Sequence, residues 1–167
     1  MSESDFTIRP LEREDREWVA HFMDEHWGTT QIVSRGKSHY GHLMPGYVAE
    51  REGKEETETI GLLTYRLEDN TCEIMTLNSL DEEKGVGTAL VERLVEDVKT
   101  IGNIKRIWLI TTNDNLAALK FWQKREFVLV TIHRDSIKES RRLKPQIPIV
   151  GQEGIPIRDE IELEYPL

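Results

Sequence analysis

Five consecutive residues, Lys84-Gly85-Val86-Gly87-Thr88, combine the features needed to grip an anion. From Val86 to about Ile101 the apolar residues Val86, Leu90, Val91, Leu94, Val95 and Val98 recur at helical spacing, and Gly102-Asn103 supplies the stop. The spacing predicts a helix entered through two glycines. The opening N–H groups of a helix lack intrahelical partners, and the peptide dipoles place about half a positive charge there. Gly85 and Gly87 have no side chain to hold a phosphate away from those donors, so the turn is a candidate cradle. A plain tight entry into a helix uses the same residue types, and the glycine pair alone leaves both readings open.

Two common phosphate motifs do not fit. A P-loop needs an earlier glycine and Gly-Lys followed by Ser or Thr, whereas the order here is Lys84-Gly85-Val86. A dinucleotide fingerprint wants a third glycine near position 90, which is Leu90. Other reactive side chains are sparse. Cys72 has no histidine beside it in sequence, and buried free cysteines are commonly inert. His39 and His42 have no carboxylate or cysteine beside them, so no metal site is expected, since ligand sets normally have three or four members.

The elements that must position these residues follow from patterning. Phe6 to Leu11 reads as a strand, and Glu14 to Trp27 as a helix with a stripe of Trp18, Val19, Phe22, Met23 and His26. Gly28 to Gly46 shows no period and reads as a polar lid or surface loop. Tyr47–Arg51, Ile60–Leu67 and Thr71 to about Leu80 read as a strand meander that runs into the glycine turn. After the long helix, Ile104 to Thr112 reads as a strand covered on both faces. The Asn113-Asp114-Asn115 cluster then caps a helix whose Leu116, Leu119 and Trp122 share a face. Phe127 to Ile132 is a strand and Arg134 to Lys144 a basic helix. The last strand, Ile157 to Tyr165, alternates, with Ile157, Ile161, Leu163 and Tyr165 on one side and Arg158, Glu160, Glu162 and Glu164 on the other. Asp159 falls on the apolar side, where a carboxylate must be paired, hydrogen-bonded or at a site.

At 167 residues the chain is expected to fold as a single domain, 1–167. Hydrophobic residues at 38% and charged ones at 32% point to a globular, soluble chain. No apolar run approaches membrane-spanning length and the N-terminus lacks the regions of a signal peptide, so no membrane partner is expected. One cysteine fits a reducing, cytoplasmic setting. The net charge of −9 argues against a nucleic-acid partner and is compatible with a cationic or amine substrate.

Glu82-Glu83-Lys84-Gly85-Val86-Gly87 resembles the pyrophosphate loop of the GNAT N-acetyltransferase superfamily, Gln/Arg-x-x-Gly-x-Gly/Ala, with Glu82 in the Gln/Arg position. A strand and a helix later, Asn115, Ala118 and Phe127 match Asn-x-x-Ala-x-x-x-Tyr-x-x-x-Gly-Phe at the right spacings. Trp122 replaces its tyrosine, whose hydroxyl often protonates the leaving thiolate; an indole N–H donates a hydrogen bond but is no acid near neutral pH. Glu126 replaces its glycine, so the turn there is expected to be one that a side chain tolerates. The closing segment Arg142-Leu-Lys-Pro to Glu164 resembles a tail of uncharacterised bacterial members.

The resemblance implies an α/β (α+β) fold with a mixed, mostly antiparallel twisted sheet of about seven strands flanked by helices, in the order βαβββαβαβ(α)β. It implies an acetyl-CoA-dependent N-acetyltransferase that moves acetyl directly to a primary amine of a small molecule or protein. Leu77, Asn78 and Ser79 would pair with the pantetheine arm; Glu83, Lys84, Gly85, Val86, Gly87 and Thr88 would hold the pyrophosphate. Asn115 would lie near the thioester end, with Trp122 beside the cofactor. The acceptor must lose a proton before attack, and a carboxylate acting through water is the usual solution. Glu73, on the strand side shared by Met75 and Leu77, is the first candidate and Asp159 the second. A non-catalytic acyl-CoA-binding or interaction module is the alternative, kept open by Trp122. A nucleotide enzyme on a doubly wound sheet is disfavoured by the strand meander. Tryptophan and tyrosine between 27 and 47 could shape a pocket or a homodimer face.

Overall fold

The computed structural model describes residues 6–80 and 85–167. β1 (Thr7–Pro10) leads through a 3-10 turn to α1 (Arg16–Trp27), whose Val19, Phe22 and Met23 are buried while Trp18 is half-buried and His26 exposed. The stretch expected to be a loop instead holds a hairpin, β2 (Gln31–Ser34) and β3 (Lys37–Tyr40). Its two-residue turn, Arg35-Gly36, has φ of +50° and +73°, the left-handed pair that suits strand twist. Arginine in the first turn position hides the signal that Asn-Gly would have given.

The meander forms as expected from β4 (Gly46–Glu52), β5 (Thr57–Glu68) and β6 (Thr71–Ser79). α2 (Val86–Ile101) occupies the residues its periodicity marks, followed by β7 (Arg106–Thr112) and α3 (Leu116–Lys124). β8 (Val128–His133), α4 (Ile137–Leu143) and β9 (Glu160–Pro166) complete the order. Seven strands form one sheet, β1-β4-β5-β6-β7-β9-β8, antiparallel at every pairing except β6–β7.

Helices cover both faces. Leu90, Leu94 and Val98 of α2 pack with Trp122 of α3 onto Leu63, Cys72, Ile74, Ile107 and Leu163. On the other face Val19, Phe22 and Met23 of α1 pack on Leu62 with Ile32 of β2 alongside. Leu62 and Leu63 are neighbours on β5, so their side chains point to opposite faces and each anchors a different layer. Gly61 belongs to this arrangement: a Cβ there would meet Val86 Cγ1 at 2.6 Å and Leu90 Cδ1 at 3.1 Å, so only glycine lets the start of α2 seat on the sheet.

Several side chains do not lie where the pattern put them. β9 runs between β7 and β8, so its supposedly solvent-facing Glu160 and Glu162 are buried, paired with Arg35 and with Arg106 and His133. Along β7 only Ile107 and Leu109 are fully buried, with Trp108 and Ile110 half covered. Leu116 at the start of α3 is exposed, while Leu119 is half-buried and Trp122 buried. Glu126 takes φ +73°, so the turn before β8 keeps the left-handed conformation natural to glycine and the glutamate endures it, contrary to the expected adaptation.

Candidate functional site

The sheet opens where its one parallel pair sits. β6 and β7 are in register at Cys72–Ile107 and Glu73–Trp108, and no described residue continues that ladder along β6 toward Ser79. Thr64 pairs with Thr76 and Tyr65 with Ile74, so Met75 is an extra residue, a bulge that reverses the side-chain alternation. Leu77 therefore joins Ile74 on the α2 face, while Glu73 faces the hairpin. The two do not share a side, as simple alternation had suggested.

A cleft of about 730 Å³ lies at the mouth of this opening, between the end of β6, the start of α2 and α3. Its lining brings together Leu77, Ser79, Gly85, Gly87, Thr88, Asn115 and Trp122. Asn78 and Val86 stand behind it: Asn78 is opposite Leu62 in the ladder and Val86 is buried in the core. Glu83 and Lys84, with Glu82 before them, lie outside the described residues.

The floor of the cleft is built to donate hydrogen bonds. Gly85 caps α2 with φ +74°, and the first intrahelical bond runs from Ala89 N–H to Gly85 O at 3.0 Å. The amides of Val86, Gly87 and Thr88 thus precede the helical ladder. A Cβ on Gly87 would touch the Phe121 ring at 3.4 Å, narrowing the notch over those amides. Ser79 Oγ is buried and has no hydrogen-bond partner among the described residues, an orphan hydroxyl at the edge of the same cleft. Asn115 caps α3, its Oδ1 accepting from Ala118 N–H at 3.1 Å. Its amide nitrogen has no partner among the described residues.

The opposite wall is cationic, a feature the sequence reading missed. Arg125 donates to Thr88 Oγ1 through Nε and Nη2 at 2.9 and 2.7 Å and to Phe121 O through Nη1 at 3.0 Å. Its guanidinium lies 3.9 Å from the Phe121 ring centroid. With Lys120 and Lys124 it gives this cleft three cations in a chain of net charge −9. The signal was Lys120 and Lys124 one turn apart on α3 with Arg125 just past its end, which means nothing until α3 is seen to face the glycine turn.

Trp122 is a core residue more than a ligand contact, 6% exposed and edge-on to Phe121 and Phe127, with ring centroids 5.0 Å away in each case. Neither candidate base lines the cleft. Glu73, at the vertex of the strand opening, accepts from Arg66 Nε at 2.9 Å and from the Ser34 hydroxyl at 2.7 Å. Asp159 precedes β9, where Arg158 and the Asp135 N–H, 3.1 and 2.8 Å away, hold its carboxyl below the usual range. Burial beside Glu73 pushes the Cys72 thiol up to about 12, so it stays protonated and unreactive.

A model of the Acetyltransferase (GNAT) family matches residues 7–127. The uncharacterized protein YxbD of Bacillus subtilis is 38% identical over 156 residues, covering 93% of this chain and 96% of that protein. Among solved structures, a Bacillus subtilis acetyltransferase in complex with CoA superposes with a TM-score of 0.65 at 21% identity, covering 97% of this chain and 99% of its own. A GNAT family acetyltransferase from Elizabethkingia anophelis with acetyl-CoA bound gives 0.66 at 19% identity, covering 98% and 99%.

Proposed function

The chain belongs to the acetyltransferase (GNAT) family, and on that premise we propose that it transfers acetyl directly from acetyl-CoA to a primary amine. The observation that carries the reading is the cleft floor: three leading amides of α2, a glycine notch above them, and an orphan Ser79 hydroxyl beside it. The residues present fit a pyrophosphate with an extended acyl arm. Val86, Gly87 and Thr88 N–H groups would hold the phosphates, with Arg125 adding charge above them. The open edge of β6 from Leu77 to Ser79 would pair with the arm as an added half-strand. Asn115 would steady its thioester end.

Chemistry belongs at the vertex of the opening, where a backbone N–H of the splayed β6 would meet charge developing on the thioester oxygen. Glu73 is the proposed acceptor of the amine's proton, reached through the Ser34 hydroxyl on its Oε2, because it is the last β6 residue paired with β7. Asp159 is tied to the β8–α4 turn and is the weaker choice. Buried Trp122 supplies no acid, so the departing thiolate takes its proton from solvent or from the acceptor. That same tryptophan is what supports the rival reading, an acyl-CoA-binding module without turnover.

Calorimetry with acetyl-CoA tests the first half of this reading. Gly87→Glu, which adds bulk and like charge to the notch, is expected to weaken binding by at least about 100-fold. Unchanged affinity would remove the cradle from the argument. Thiol release over an amine panel tests the second half: Glu73→Gln should depress kcat while binding stays intact, and Asp159→Asn should leave kcat near wild type. Binding with no release under any amine selects the module.

A further inference from the structure

The hairpin carries an imidazole with one nitrogen inside the protein and one toward its surface. In the β2–β3 pairing Ser34 stands opposite Lys37 and Ile32 opposite His39, so these side chains share one face. That face lies on the sheet, because the Ser34 hydroxyl donates to Glu73 Oε2 at 2.7 Å and Ile32 packs beside Leu62. His39 Nε2 is buried and has no hydrogen-bond partner among the described residues, while Nδ1 is not enclosed in this way. The charges that act on the ring are Arg66 and Glu68 of β5, Glu73 of β6 and Lys37 of its own strand. Burial first and Arg66 second favour the neutral ring, against the pull of the two glutamates. A neutral imidazole with a bare inward nitrogen can take a proton on one side and release one on the other.

We propose that His39 carries to solvent the proton that Glu73 accepts in each turnover, an inference that rests on the acetyl-transfer reading above. A protonated primary amine gives up two protons as its N–C bond to acetyl forms and the C–S bond of the thioester breaks. One leaves on the thiol of coenzyme A, and the other must reach water. It arrives on Glu73 by way of the Ser34 hydroxyl, which takes a proton from the amine as it gives its own to Oε2. Glu73 is 3% exposed and its other oxygen accepts from Arg66 Nε, so the carboxyl has no direct outlet to solvent. Nε2 of His39 takes the proton, and the imidazolium loses one to water from the nitrogen that faces out, which restores a neutral ring and an ionised Glu73. An imidazole is ordinarily the stronger base, and that sets the direction of the transfer. His39 touches no reacting atom; it serves Glu73.

A pair of variants separates a relay from a packing role. His39→Ala and His39→Gln should each lower kcat about tenfold or more with an amine that wild type acetylates, while acetyl-CoA affinity by calorimetry stays put. Glutamine fills much of the same space but does not pick up a proton, so it would rescue a packing role and leaves a relay broken. Free imidazole added to His39→Ala should recover activity in proportion to its concentration and do nothing for wild type. Independently of turnover, magnetic-resonance titration of the imidazole should find His39 below its ordinary value, and Glu73→Gln should move it lower still, because that carboxylate favours the imidazolium. Should His39→Ala fail to fold, the glutamine variant and the titration decide. Full activity in His39→Gln, a loss in His39→Ala that imidazole leaves untouched, or a titration indifferent to Glu73→Gln would each overturn the relay alone. A wild type that releases no thiol with any amine overturns the acetyl-transfer reading itself, and the relay falls with it.

Discussion

Under α2 and α3 the sheet buries carbon: Leu90, Leu94 and Val98 meet Leu63, Ile74, Ile107 and Leu163, and the charges of the cleft sit at its rim. Under the hairpin, beside the patch where α1 meets Leu62, it buries charge instead. Glu73 is held by Ser34 and Arg66, Glu160 by Arg35, and Glu162 by Arg106 and His133. The first face gains stability from area removed from water and asks only for shape. The second gains little net energy, because desolvation offsets attraction, yet every member depends on its partner. The apolar face thus supports the helix that grips, and the ionic face holds a hairpin in one place over the strand opening.

The largest expected effect falls on the apolar face. Leu94→Ala, at a fully buried site, should lower unfolding free energy by about 3 kcal/mol in urea titrations, through lost transfer energy and the cavity left behind. On the ionic face Arg35→Met strands the carboxylate of Glu160, which is 2% exposed, and should cost about 2 kcal/mol. The arginine is 40% exposed, which keeps the loss below that of a fully buried pair. Adding Glu160→Gln should return most of it. A double variant as unstable as the single would show that the carboxylate's charge is not what costs.

Acid provides the next contrast. The Arg9 guanidinium, with help from the Trp18 indole and the Glu12 N–H, holds Asp15 well below the usual carboxylate range. Glu162 is also lowered, since burial, which raises it, is outweighed by His133 and Arg106. A carboxylate whose folded pKa is depressed stabilises above its unfolded value, about 4, and loses that contribution as pH falls toward the folded one. Melting temperature should therefore drop as pH falls below about 4, and Asp15→Asn should flatten that slope. An unchanged slope in the variant would move the acid sensitivity elsewhere. The smallest effect is a gain: Glu126→Gly relieves a left-handed φ of +73° and should add about 1 kcal/mol.

What could be read in advance follows the same division. The bounds of α2 and the Asn115 cap were legible because helix periodicity and capping involve residues three or four apart. The hairpin at 31–40 was not, because its strands are short and its anchors, Glu73 and Glu160, lie 39 and 125 residues from Ser34 and Arg35. Alternation sent Glu160 and Glu162 to solvent correctly for a lone strand and wrongly for one flanked on both sides. Glu73 and Leu77 parted company at a bulge that no residue type announces.

By itself the sequence determined the glycine turn, the helix behind it, the strand meander in front and the family to which they belong. Only the tertiary structure decided that Arg125 stands over that turn, that the hairpin's Ser34 and Arg35 are fastened to carboxylates on the sheet, and that β8 is left as an open edge. The reason is range. Backbone ladders and capping bonds within a helix are made by near neighbours, so local spacing encodes them. The partner of a buried charge or of a strand edge is chosen by topology, and topology is absent until the chain has folded.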